Sequence, residues 1–209
     1  MEQSDINLYC TCMDQIKQRS NAVETVLAAI HSTAYPATNI EFMCLQIRKI
    51  LELIALGSLV ANKQEYAKQH EKFSEHWRAK AILDSIEKIN PNFYPIPGRQ
   101  IIEPTTRKVI EVVALEKGFL TRQEFPDVYD QCSKAIHAAN PFGTAIDYEA
   151  LERSIPVWMK KIKKLLNHHQ IQLLNEMQML WVLMQAREDN RVHAWIFQRV
   201  DKATDYTEE

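Results

Sequence analysis

Three side chains that could take part in proton transfer are spaced four residues apart in the second half of the chain. Tyr129, Ser133 and His137 supply a phenol, a hydroxyl and an imidazole, and on a helix this spacing aligns them in one row. Histidine can act as a general acid or base near neutral pH, so His137 is the candidate catalytic residue. The row lies beside the apolar face that begins at Phe125, so it either faces a cleft or is an ordinary polar rim. The chain has no G-x-S-x-G elbow, which argues against a Ser-His-acid hydrolase.

A charged pair lies within the most apolar part of the chain. Arg48 and Glu52 are at positions i and i+4, so their side chains can meet on a helix. They share a sector with Leu45 and Leu56, so the pair is expected to be at least partly buried and hydrogen-bonded. It is either a structural salt bridge that fixes the helix register or an anchor for a catalytic or ligand-binding group on a facing helix.

A short basic run follows Trp158 and consists of Lys160, Lys161, Lys163 and Lys164. Such a run can bind phosphates, or it can be the solvated face of a helix.

The composition excludes several classes of function. Lys and Arg number 25 against 27 Asp and Glu, so the net charge is −2, without the global basic excess typical of nucleic-acid binders. The chain lacks a phosphate-binding glycine loop and the spacings of common metal sites. We therefore expect no cofactor and no metal.

The cysteines and the longest apolar stretch predict where in the cell the protein is found. None of the four cysteines has C-x-x-C spacing, and the chain does not open with a signal-peptide pattern. We expect reduced thiols and a cytoplasmic protein. The stretch 50–61 contains Glu52 and is too short to span a bilayer, so we expect no membrane association.

Helical periodicity dominates the first part of the chain. Five helices are predicted, at about 5–33, 38 or 39 to 60, 63–89, 121–139 and 148–167. The second is apolar on every side and is therefore the predicted central helix. The third has a predicted break near 71–74. Thr121 and Glu124 form a predicted capping box. The prolines in 90–98 predict a stiff loop, and 99–118 fits either short strands or an irregular crossover.

The last part of the chain changes from helical to alternating patterns. Segments 170–174, 179–185 and 191–200 predict antiparallel strands. The sequence therefore predicts a mainly α fold. A helical bundle would occupy 1–167, with an irregular crossover near 90–120, and a small C-terminal β-meander would occupy 168–203 and pack on the bundle.

Two segments resemble known helical families. Ile47-Arg48-Lys49-Ile50-Leu51-Glu52 resembles the L-R-x-L-L-E helix of several bacterial helical families of unknown function. Tyr129 to His137, with its Y-x-x-x-S-x-x-x-H pattern, resembles their second helix. These families look HEPN-like (higher-eukaryote-and-prokaryote nucleotide-binding). The resemblance covers about twenty residues and implies a helical bundle of toxin, defence or RNA-processing systems, in which many members are metal-independent, dimeric ribonucleases.

The chain departs from the ribonuclease motif in one respect. That motif places an Arg a few residues before the His, whereas Gln131 to Lys134 contain none, and Lys lacks the planar fork of Arg. His137 carries over as a base, the Arg does not, and whether Arg48 approaches from the neighbouring helix stays open. The first hypothesis is a non-catalytic HEPN-like protein that binds a partner or ligand in a cleft between helices. The alternatives are a divergent ribonuclease that acts on RNA as a homodimer, and a purely structural subunit.

Overall fold

The computed structural model describes residues 1–33, 35–69, 78–173, 178–186 and 188–198. In these ranges the chain forms six helices and a five-stranded antiparallel sheet, which confirms the predicted mainly α class with C-terminal β-structure. The helices are α1 (Gln3–Leu27), α2 (Pro36–Ala61), α3 (Lys63–Gln69), α4 (Ala79–Ile89), α5 (Phe125–Ala135) and α6 (Tyr148–Leu166). The strands are β1 (Ile96–Ile102), β2 (Val109–Ala114), β3 (His168–Gln172), β4 (Gln178–Leu183) and β5 (His193–Gln198).

The core is built around α2. Its apolar residues cover the whole helical circumference, and such a helix is stable only when it is surrounded. Ile47, Ile50, Leu51 and Ile54 are each at most 1% exposed, and α2 contacts α1, α4, α5 and α6. Each of these side chains contributes roughly 1.5–3 kcal/mol through burial.

The junction of α1 and α2 differs from the prediction. The first helix ends at Leu27 rather than near 33, and Ala29 follows with a positive φ of 54°. The second begins at Pro36, because proline fits the first turn, where its missing N–H is not needed. Thr38, a predicted N-cap, lies inside the first turn instead.

The predicted helix 63–89 is described in two parts. The structure contains α3 before the undescribed segment and α4 after it. The break predicted near 71–74 lies outside the described residues.

The fifth helix is shorter than predicted. The capping box forms as expected, with the Glu124 backbone N–H donating to Thr121 Oγ1 at 3.2 Å and the Thr121 N–H donating to Glu124 Oε2 at 3.1 Å. However, the helix begins at Phe125 and ends at Ala135 rather than near 139. His137 therefore lies beyond its end. The sixth helix accommodates Pro156 without interruption.

The sheet has the order β2-β1-β3-β4-β5. The strands β3, β4 and β5 correspond to the predicted meander, while positions 174, 199 and 200 of its predicted strands lie outside the described residues. Segment 99–118, predicted as either short strands or an irregular crossover, contains most of β1 and all of β2, so the prediction of short strands is confirmed. The predicted loop 90–98 is too long, because β1 already begins at Ile96.

One face of the sheet packs against the helices. Residues paired directly across neighbouring strands lie on the same face, and the register gives two such rows on this inner face. The rows are Pro97–His169–Val182–Ala194 and Ile171–Leu180–Ile196. Because His169, Ile171, Leu180 and Val182 are each 0% exposed, the inner face belongs to the core.

Candidate functional site

Two predicted site residues of α2 meet one of α5. The Nε of Arg48 donates to Glu52 Oε1 at 3.2 Å, and the hydroxyl of Tyr129 donates to the same oxygen at 3.2 Å. The Arg48 guanidinium carbon lies 5.0 Å from the centre of the Tyr129 ring, in a cation–π arrangement. Arg48, Glu52 and Tyr129 form what we call the α2–α5 cluster.

The side chains of the cluster are mostly shielded from solvent, and two of them are charged. The Arg48 and Glu52 side chains are 20% and 24% exposed. Burial by itself would lower the pKa of Arg48, but its contacts with Tyr129 and Glu52 outweigh burial and raise that pKa. Burial is also the largest influence on Tyr129 and raises its pKa, so its phenol stays protonated and donates to Glu52. The cluster thus presents a fixed cation beside a compensating carboxylate.

Ser133 lies one turn further along α5. Its hydroxyl donates to the backbone carbonyl of Tyr129 at 2.7 Å, which is the common arrangement of a serine within a helix. Because the proton is used in this way, the geometry does not favour Ser133 as a nucleophile.

His137 is exposed and lies two residues beyond α5. The row predicted for Tyr129, Ser133 and His137 is therefore interrupted before its last member. Within the described ranges no hydrogen bond joins His137 to the α2–α5 cluster. Arg48 does approach α5, but it meets Tyr129, which precedes His137 by eight positions.

The four lysines of α6 have different surroundings. Lys160 is exposed, while Lys161 pairs with Glu124 and Lys163 pairs with Glu24. The ammonium of Lys164 lies against Gly118, where a Cβ would be 3.0 Å from it. With two of their charges matched by carboxylates, these lysines make a weaker phosphate site than the sequence alone indicates.

A buried histidine pair escaped the sequence analysis. His168 and His169 are 2% and 0% exposed and point to opposite faces of β3. His169 Nδ1 lies 2.7 Å from the carbonyl of Leu166, and its Nε2 lies 2.6 Å from the hydroxyl of Tyr9. Because a carbonyl only accepts, Nδ1 carries the proton and Nε2 accepts from Tyr9. Burial lowers the pKa of His169 to about 4, so this imidazole is neutral.

Two glycines allow these histidines to pack. A Cβ on Gly57 of α2 would lie 3.2 Å from both Tyr9 Cε2 and Met13 Cε, and a Cβ on Gly98 would lie 2.9 Å from His168 Nδ1. The indole N–H of Trp181 donates to His168 Nε2. Both histidines are therefore structural groups, and the only sequence signal for them was their position beside a predicted strand.

A second buried polar group joins three elements. Asn90, at the end of α4, donates from Nδ2 to Asn62 Oδ1 at 2.9 Å and to the Gln172 carbonyl at 2.8 Å. Asn62 Nδ2 donates to the Ser58 carbonyl at 2.9 Å. Such amides must be paired when buried, so this group ties α2, α4 and β3 together.

Two cavities lie away from the α2–α5 cluster. One, of about 200 Å³, is lined by residues that include Met1, Asp5 and Lys63, and the last two form an ion pair at 2.8 Å. The other is an open groove of about 400 Å³ on α1 and α2 around Arg19 and Gln46. Neither is lined by residues of the cluster.

Neither a metal-binding group nor a membrane-spanning helix occurs among the described residues. They contain no group of three or more His, Cys, Asp or Glu placed to hold a metal ion. No helix among them is both long and apolar enough to cross a membrane. Comparison of the chain with protein-family models, with curated proteins and with solved structures found no match.

Proposed function

We propose that this protein is a HEPN-like, non-catalytic binding protein that holds a carboxylate of a protein partner at the α2–α5 cluster. The observation that carries the proposal is the partly exposed side chain of Arg48, whose guanidinium lies between Glu52 and Tyr129. Arginine has five N–H donors in a rigid fork that matches a carboxylate. Glu52 engages Nε, and we expect the partner's carboxylate to meet the Nη groups.

The charges around the cluster favour a single carboxylate over a polyanion. Glu52 offsets the charge of Arg48, and on α5 the charge of Asp130 is matched by Lys80 at 2.9 Å. The cluster therefore carries no net positive charge to attract the repeated phosphates of an RNA strand. Ser133 lies one turn from Tyr129, but its proton is already donated to the Tyr129 carbonyl, so it supplies no donor for the partner's carboxylate.

The alternative is a divergent metal-independent ribonuclease with His137 as base. It requires His137 to act together with Arg48 or with the lysines at 160–164 on one phosphate. The exposed position of His137 and the carboxylate partners of Lys161 and Lys163 support the binding protein over this alternative.

The proposal is tested by titrating the ¹⁵N-labelled protein with a panel of peptides that each carry a single Asp or Glu and following backbone amide shifts. The expected result is a set of perturbed amides on α2 and α5, and an affinity that falls about tenfold or more in Arg48→Met. The matched control is Arg153→Met, which removes an exposed arginine that also has a Glu four residues away. Equal loss in both variants, or shifts confined to other elements, would contradict the proposal.

A further inference from the structure

The strand β2 forms an edge of the sheet and is exposed on both faces. Among the described strands it pairs only with β1, and Val109, Ile110 and Val113 are 49%, 65% and 37% exposed. Edge strands are usually protected by Lys, by Pro or by a bulge that bends the edge away. β2 contains neither Lys nor Pro, and its bulge lies near its start, at Ile110, which has no partner in the register. The segment 111–114 is therefore a regular strand with an unprotected edge.

The backbone groups at this edge follow from the pairing of β1 with β2. The Leu115 N–H donates to the Pro97 carbonyl at 2.8 Å, so these two residues form a hydrogen-bonded pair. Such pairs alternate along antiparallel strands, so the backbone of Val113 is also directed to β1, whereas the N–H and C=O groups of Val112 and Ala114 are directed outward. In the described part of the chain no backbone hydrogen bond joins these outward groups to another segment. They offer two donors and two acceptors to a further strand.

We propose that β2 is the docking site for an extended, basic peptide segment of a partner protein, which adds a further strand to the sheet, antiparallel to β2. In this mode of binding the backbone hydrogen bonds supply the affinity, and the side chains that face the neighbouring strand supply the selectivity. The site lies on other elements than α2 and α5, so the inference goes beyond the proposed function and does not depend on it.

The side chains of β2 indicate which peptide fits. Glu111 is the only charged residue of the strand, and its side chain is exposed. Side chains directly opposite each other on antiparallel strands interact, and opposite charges are favourable there. We therefore expect a Lys or Arg of the peptide opposite Glu111. Opposite Val112 and Val113 we expect β-branched residues, because these pack well in strands.

A second copy of β2 meets these requirements less well. The strand contains no Lys or Arg, so two copies paired edge to edge would leave Glu111 without a counter-ion. The antiparallel register centred on Val112 places Glu111 opposite Val113 of the other copy. The register centred on Val113 places it opposite Leu115, which is also apolar. The charge of Glu111 thus favours a basic peptide over a second copy of the strand.

The test is amide hydrogen exchange of the ¹⁵N-labelled full chain, measured by NMR with a peptide that contains Thr-Val-Thr-Lys between polar flanks. In the antiparallel alignment its Lys faces Glu111 and its Val faces Val113. At saturation we expect the amides of Val112 and Ala114 to exchange at least about tenfold more slowly. The amide of Val113 is already bonded to β1 and is the internal control, which should change less than about threefold.

A proline variant removes the outward donor alone. Val112→Pro deletes an N–H that β1 does not use, and edge strands accept Pro at such positions, so the dissociation constant of the peptide should rise about tenfold. Val112→Ala is the matched control, because it shortens the same side chain and keeps the N–H. It should raise the dissociation constant less than about threefold. Circular dichroism verifies that both variants are folded.

Exchanging the charges tests the chosen peptide. Glu111→Lys should weaken binding of the Lys peptide about threefold, and replacing the peptide's Lys by Glu should restore it. Unchanged exchange at Val112 and Ala114 with about 1 mM peptide would overturn the inference. So would equal binding to the Pro and Ala variants, which would place the peptide at another site. Protection of Val112 and Ala114 that rises with protein concentration in the absence of peptide would overturn it as well, in favour of a second copy.

Discussion

Two hydrogen-bonded groups, each joining distant parts of the chain, differ in their exposure to solvent. The α2–α5 cluster keeps about a fifth of its Arg48 side chain exposed, whereas the contact of Tyr9 with His169 is closed to solvent. When a buried polar group loses a hydrogen-bond partner, it stays unpaired in the core, which is costly. A partly exposed group can exchange a partner for water or ligand. The first arrangement therefore suits binding, and the second suits stability.

Removing the buried imidazole should have the largest effect on stability. His169→Ala leaves a cavity and an unpaired Tyr9 hydroxyl in the core, so the free energy of unfolding should fall by about 3–4 kcal/mol. Urea denaturation followed by circular dichroism measures this. Its counterpart is His137→Ala at the exposed histidine, which should change stability by less than about 0.5 kcal/mol. Similar losses in the two variants would indicate that the buried imidazole contributes no more to stability than an exposed one.

Acid should destabilise the protein through the same buried histidine. Its pKa is lowered from an ordinary value near 6.5 to about 4 in the folded protein, so the unfolded chain binds the proton more readily. The stabilisation is complete above pH 6.5 and is lost as pH falls toward 4, by about 2 kcal/mol at pH 5. Unfolding free energies measured across this range should show that slope in wild type and in His137→Ala. A flat profile would contradict a neutral, buried imidazole.

Breaking the α2–α5 cluster should have a smaller effect on stability than either change at His169. Arg48→Met keeps most of the apolar stem and removes a partly solvated ion pair, so the unfolding free energy should fall by about 1 kcal/mol or less. Thermal and urea unfolding can both measure it. A loss as large as that of His169→Ala would indicate that Arg48 is a structural group rather than a binding group.

The sequence predicts the parts of the fold that depend on local patterns. The helix around Ile47 to Ile54 is apolar on every side, and the capping box of Thr121 and Glu124 has a fixed spacing; both form as expected. The pair of Arg48 and Glu52 follows from a four-residue spacing in the same way. These features need only neighbours within one helical turn.

Contacts between residues far apart in the sequence could not be predicted from such local patterns. Tyr9 and His169 are separated by 160 positions, and nothing in the local sequence of either residue specifies the other. The strand β1 was mistaken for the end of a loop because Pro95 and Pro97 disfavour regular structure locally. In the sheet, the backbone of Pro97 instead pairs beside His169. The end of α5 before His137 also lacked a clear stop signal, since the first proline after it is Pro141.

Our central proposal, a binding protein rather than a ribonuclease, is tested most directly by one RNA assay. Wild type and His137→Ala are verified as folded by circular dichroism and incubated with total RNA without added metal. Our account predicts intact RNA in both samples. Cleavage by the wild type that disappears in His137→Ala would contradict it and establish the ribonuclease alternative.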